Sequence, residues 1–597
     1  MAISKTSKIL LAVGGILFAL FLIAVIAIAV AVNRAGRPDV PENSVLVLSI
    51  SGDLPDYAPE DQLTKAFGIG QTQSFTSLLT QLRKAKVDKR IGAVMLDINF
   101  PGIGWGKADE LRDAIADFRT SGKPAYAYME LGTNREYYIA TAAEKIFLPP
   151  SGDLYINGFA AEAMFYKGSL DKLGVEADVI QIGPKYKNAP DQYTKKEMGD
   201  GQREVINAVL DEYYGRFTNA IAESRKKSPA DVPGIIDNAP YHAGQAKDQG
   251  LIDGAFYEEQ VYDELKTRLG YKNDDKLRTI RGSQYRDVPS DSLGLNNGER
   301  IAIIYASGAI NSGQSSDGTF GGQMVGSETI VKAVNDAAAD ASIKAIVLRI
   351  DSPGGSALAS DVMWYALENA KAKKPVVVSM SDVAASGGYY IACNATKIVA
   401  EPATITGSIG LFLGKPVVKG LYDWLGVTNE YVMRGKNSGI FRETVKWTPD
   451  ERAKMEEQAN GIYFGSFVPK VAQGRNKTDE YINSIAQGHV WTGTQAKANG
   501  LIDEFGGMEK AIEVAKQLSN LPADKDVRRV ILPEPKPFFE RIFGSNDSTQ
   551  TKEQMAQKAL ADSLPSDIRR GLRYAELFDK MKHGETMAMM PFDLEIK

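Results

Sequence analysis

IGAVMLDINFPG (Ile91–Gly102) and IKAIVLRIDSPG (343–354) are one segment written twice, 252 positions apart. The same offset returns at YYIA, Tyr137 against Tyr389, and at LGV, Gly174 against Gly426. Further on, QAKDQGLID from Gln245 matches QAKANGLID from Gln495, so the repeat runs through nearly the whole of each half. Within a copy, short apolar runs alternate with amphipathic ones: SVLVLSISG, a helical stretch from Phe75, AVMLDI, ADELRDAIADFR, PAYAYM. The second copy answers with RIAIIYASG, a helical stretch from Ser327, AIVLRI, ASDVMWYALENAK and PVVVSM. Apolar strands of this kind, alternating with helices, predict crossover units and a buried parallel sheet. The chain therefore reads as tandem duplicated α/β domains.

Beyond the repeat, residues 9–32 carry no charge. As a helix they would reach roughly 36 Å, enough to cross ~30 Å of hydrocarbon, and they exceed the apolar core of a cleaved signal peptide. The expected division is a short cytoplasmic N-terminus (1–8), a signal anchor (9–32), a linker (33–43), a first α/β repeat (44–281), a polar linker (282–299), a second repeat (300–532) and a C-terminal extension (533–597). Lys5, Lys8, Arg34 and Arg37 flank the apolar run on both sides and give only a small bias toward an inside N-terminus. In the extension, Phe538, Phe539, Ile542 and Phe543 cluster; packing on their own domain is the plain reading, contact with a membrane or a neighbouring subunit the other.

Composition excludes several classes. A net charge of −5 leaves no electrostatic footprint for nucleic acid. Cys393 stands alone, so there is no internal disulfide. The three histidines, His242, His489 and His583, form no zinc motif, and neither a G-x-S-x-G elbow nor a phosphate loop is present. No metal or cofactor is called for.

The two copies differ where a hydrolase keeps its chemistry. Ser386, in AASGGYYIA, faces Asn134 of GTNREYYIA; Lys187, in GPKYKNAPD, faces Gly439. A serine hydroxyl becomes a nucleophile when a nearby base takes its proton, and a lysine serves if burial keeps it neutral. Ser386 falls between an apolar strand and a helical run, so the Gly387 amide starts a helix and suits an oxyanion. The glycine turn DSPGG offers Gly354 or Gly355 as a second donor, since no side chain blocks close approach. On spacing alone Lys185 and Lys187 are equivalent, because alternate residues of an extended segment share a side.

Taken together, DSPGGS, AASGGYYIA, TGSIG and YKNAPD on a duplicated chain behind an N-terminal anchor resemble the signal peptide peptidase A (protease IV) family in its long, two-copy bacterial form. The resemblance implies a Clp protease/crotonase-like fold. It also implies a Ser/Lys dyad of Ser386 and Lys187 formed between the halves, with Ser408 of TGSIG supporting the lysine. Further implications are a single-pass protein of the bacterial inner membrane with its catalytic body in the periplasm, a homotetramer, and substrates that are signal peptide remnants and other apolar peptides. Asn188 and Pro190 depart from the more usual motif. Two other readings of the same features are a catalytically silent scaffold that binds apolar peptides, and a crotonase-like acyl-thioester enzyme that needs no lysine.

Overall fold

The computed structural model describes residues 38–58, 73–272, 274–317, 323–534, 586–590 and, for the backbone alone, 595–596. The expected anchor at 9–32 and the phenylalanine cluster at 538–543 lie outside these residues. Among the described residues, no helix is long and apolar enough to cross a membrane.

The duplication is visible in the topology. In the first half the sheet runs Gly254–Ala255, Lys145–Leu148, Ala125–Tyr128, Ile91–Gly102, Ser44–Asp53, Thr279–Arg281, and every pairing is parallel. The second half repeats that order with Glu504–Phe505, Lys397–Ala400, Val376–Ala385, Ile343–Ser352, Arg300–Ser307 and Arg528–Leu532. The strands at Ile91 and Ile343 are buried on both faces, which is why their sequences are nearly continuous runs of apolar residues. Crossover helices form where expected, Phe75–Val87 and Ser327–Ala339, then Trp105–Arg119 and Ala357–Lys371. Ser74 caps the first of these and Ser356 the last, each accepting a backbone N–H two or three residues into the helix.

Part of the expected 282–299 linker is packed structure. Gly282–Tyr285 is a helical turn, Tyr285 is fully buried, and the Lys84 ammonium donates to the carbonyls of Tyr285, Arg286 and Val288 at 3.1, 2.9 and 2.9 Å. A polar composition reads as a loop, but three carbonyls converging on one buried cation make a fixed turn.

Two devices join the halves. The first is a buried charge cluster. Arg349, fully buried in the second half, donates to Asp56 Oδ1 at 3.0 Å and to Glu110 Oε2 at 2.6 Å, both of the first half, and to the hydroxyls of Ser379 and Ser381. Beside it, Lys107 binds Asp351 at 2.8 Å, while Asp382 accepts the amides of Gly104 and Lys107, both at 2.7 Å, and so caps the helix Trp105–Arg119 from the other half. The second device is a strand that crosses over. Glu176–Gln181 of the first half pairs antiparallel with Phe412–Val417 of the second, Gln181 opposite Phe412, and Arg452 clasps Asp178 at 2.8 Å behind it.

Candidate active site

Lys187 comes six residues after that crossing strand, which is what carries it to the second half. The expected extended geometry around it is replaced by a turn: the amides of Tyr186 and Lys187 both donate to the Gly183 carbonyl, at 3.1 and 2.8 Å. In this turn the two candidate lysines diverge. Lys185 is 56% exposed and pairs with Glu204 at 2.9 Å, while Lys187 is fully buried. Behind the turn, Asp191 accepts from Asn188 at 2.9 Å and from Gln181 at 3.0 Å, and the same Gln181 amide donates to the Lys187 carbonyl at 2.8 Å. Asp191 sits in the quoted YKNAPD motif without having been assigned a role; its work is to hold the lysine loop.

Ser386 links the strand Val376–Ala385 to the helix Gly387–Ala392 with φ 53° and ψ −110°. A non-glycine residue at such angles costs on the order of 1–3 kcal/mol and persists only where its surroundings dictate it. Here its amide donates to the Gly407 carbonyl at 2.8 Å and its carbonyl accepts from the Tyr390 amide at 2.7 Å. The result is a sharp strand-to-helix turn without the G-x-S-x-G sequence that usually signals one. Asn134, the matching residue of the first half, starts the helix Asn134–Ala140 and donates to the Gly158 carbonyl at 2.7 Å.

The two copies meet at these residues. Lys187 Nζ lies 3.0 Å from Ser386 Oγ, 3.1 Å from Ser408 Oγ and 3.3 Å from the Ser408 carbonyl, and all three residues are fully buried. Burial holds the Lys187 pKa well below 10.5, with no carboxylate offsetting it. A neutral amine within hydrogen-bond reach of a hydroxyl can accept its proton, and it can later return that proton to a leaving group. The Gly387 amide opens its helix beside the serine. The two DSPGG candidates part company: the Gly354 amide donates to Ser352 Oγ at 3.2 Å, whereas Gly355 lies in strand register with Ala588. A Cβ on Gly355 would meet the Ile310 carbonyl oxygen at 2.1 Å, so only glycine fits there; the first copy has Ile103 at the matching place.

Gly488 was not legible in advance. With φ +86°, it rests against the lysine so closely that a Cβ would stand 2.7 Å from both Cα and Cβ of Lys187. Gly488→Ala is expected to displace the amine and lower kcat by about 10²-fold, in line with the cost of ~1 Å misplacements, while KM stays within about twofold. Steady-state kinetics on an apolar peptide would check this, and an unchanged kcat would contradict the contact. Nothing in the string QGHV marks this position, because the contact is with a residue some 300 positions away.

The model of peptidase family S49 matches the chain twice, at residues 117–272 and 368–522. The chloroplastic serine protease SPPA of Arabidopsis thaliana is 35% identical over 526 residues, covering 88% of this chain and 76% of that protein. Protease 4 of Salmonella typhi is 34% identical over 527 residues, 85% of this chain and 83% of its own. Among solved structures, ClpP1 from Listeria monocytogenes aligns with 35% of this chain and 94% of its own at 15% identity and a TM-score of 0.24, too slight a likeness to carry argument. Two family matches, relatives aligned over most of their length, and a buried serine beside a buried lysine all converge: the chain belongs to peptidase family S49 and is a serine protease.

Proposed function

We propose that the protein is a membrane-anchored endopeptidase whose nucleophile is Ser386 and whose general base is Lys187, one dyad per chain on the seam between the halves. The observation that carries this reading is the 3.0 Å contact between Lys187 Nζ and Ser386 Oγ in a site with no carboxylate against the lysine. Ser386 Oγ adds to the peptide carbonyl as Lys187 takes its proton. The oxyanion that develops faces the Gly387 amide. Lys187 then protonates the departing amine, and water taken up with its help hydrolyses the acyl ester. Ser408, through its hydroxyl and carbonyl, fixes the amine so that its lone pair meets the serine. Neither half holds both groups, since Asn134 and Gly439 occupy the matching places.

The uncharged run at 9–32 supports a single-pass anchor, with the body on the outer face of a bacterial inner membrane and apolar leader-like peptides as substrates. Covalent labelling with a serine-reactive fluorophosphonate, followed by peptide mapping, is expected to modify Ser386; modification of a different serine would refute the assignment. Titration gives a second check. Because the base must be neutral, kcat/KM should rise with pH through an apparent pKa well below 10.5. A rising limb centred at or above that value would exclude a buried lysine base.

A further inference from the structure

The seven-stranded sheet at the seam contains a strand that neither half supplies. Its order is Ser316–Asp317, Gln323–Gly326, Ala309–Asn311, Gly354–Ser356, Met587–Met589, Phe412–Val417, Glu176–Gln181. The fifth member is the chain's own C-terminal tail, whose sequence, MAMMPFDLEIK, carries no functional signal of its own. Thr586, Met587 and Ala588 are buried. On one side the tail runs antiparallel to the glycine turn, with Gly354 opposite Met589, Gly355 opposite Ala588 and Ser356 opposite Met587. Flanking bonds join the Ala357 amide to the Thr586 carbonyl at 3.0 Å and the Met590 amide to the Pro353 carbonyl at 2.7 Å. On the other side Met587 faces Phe412. A second clamp follows, where Glu595 and Ile596 pair with Glu162 and Ala161 of the first half.

We propose that this tail is an autoinhibitory strand: it fills the groove that an extended substrate must enter, in a pose that is not cut. The inference rests on the dyad assigned above. An extended peptide gains affinity by adding a strand to exposed edges, and the edges flanking the dyad, Gly354–Ser356 and Phe412, are those the tail already pairs with. The pose is unproductive because the Met589 carbonyl oxygen accepts a hydrogen bond from Lys187 Nζ. Attack requires that oxygen to sit on backbone donors while Ser386 Oγ faces the carbonyl carbon. A carbonyl held by the lysine keeps the base occupied as a donor. Tethering places the tail at an effective concentration in the millimolar range, so free peptide must outcompete it.

The test compares three proteins on one fluorogenic apolar peptide: the full chain, a chain ending at Glu585, and full-length Ala588→Arg, whose bulk the fully buried Ala588 site cannot accept. Both variants are expected to lower KM by about tenfold relative to the full chain, as removal of a tethered competitor requires. A synthetic peptide spanning residues 586–597 should inhibit the truncated protein competitively. Thermal melting of each variant identifies any that fails to fold, leaving the other to decide. An unchanged or raised KM in a folded variant overturns the proposal. So does loss of the tail from the wild-type mass but not from Ser386→Ala, since the tail would then be a substrate. If truncated Ser386→Ala still hydrolyses the peptide, the dyad itself fails; if it is inactive while KM never moved, only the tail proposal fails.

Discussion

Ser386→Ala is expected to lower peptide hydrolysis by about 10⁴- to 10⁶-fold, the range in which loss of a serine nucleophile leaves only binding and oxyanion stabilisation. Lys187→Met is expected to fall into the same range, because the two residues act as a unit and the double substitution should cost little more than either one. The folded state should survive both changes. For Lys187→Met, stability has its own signature. The native amine has a pKa well below 10.5, so between that lowered value and 10.5 the unfolded chain binds the extra proton and wild-type stability rises with pH. Lys187→Met should lose this slope, which urea unfolding at several pH values would read directly. Near-normal activity in Lys187→Met would break the cross-half dyad; the exposed, Glu204-paired Lys185 offers no replacement within this geometry.

The largest expected effect on stability lies at Arg349. Replacing it with Met removes a guanidinium that satisfies Asp56 and Glu110 together, and breaking one side of a buried ion pair costs about 3–5 kcal/mol. The loss should appear as a large drop in unfolding midpoint, and as loss of activity, because the cluster ties together the halves that share the dyad. Restoring a cation with Arg349→Lys should recover little, since one ammonium cannot reproduce the fork that reaches two carboxylates and two serines. Midpoints for Arg349→Met within about 1 kcal/mol of wild type would show that the buried cluster is neutral to folding.

Arg349 also marks a limit of reading the chain alone. Its repeat partner is Asp97, and in each copy the charge interrupts an otherwise apolar strand. In the sequence this looks like one solvated position in a buried run. In the structure Arg349 is sealed between two carboxylates from 239 and 293 positions away, a pairing that no local pattern encodes. Polar 282–299 misled in the opposite sense, because the carbonyls that bind Lys84 belong to every sequence alike. The lysine choice failed for a related reason: equivalence of Lys185 and Lys187 presumed extended backbone, and Gly183 with Asp191 makes a turn instead.

By itself, the sequence determined the duplication, the α/β alternation and its strand order, the sharp turn at Ser386, and the reciprocal loss of serine in one copy and lysine in the other. These are legible because burial on a sheet face and helix periodicity are written in neighbouring residues, and because a repeat compares the chain with itself. Only the tertiary structure decided that Lys187 is the buried amine, that the strand Glu176–Gln181 delivers it by pairing with Phe412–Val417, that Gly488 presses on it, and that the C-terminal tail lies in the groove. Each of those depends on backbone pairing and close packing between segments far apart in the chain. Backbone amides and carbonyls are the same in every residue, so which strands they join is settled only when the whole chain closes on itself.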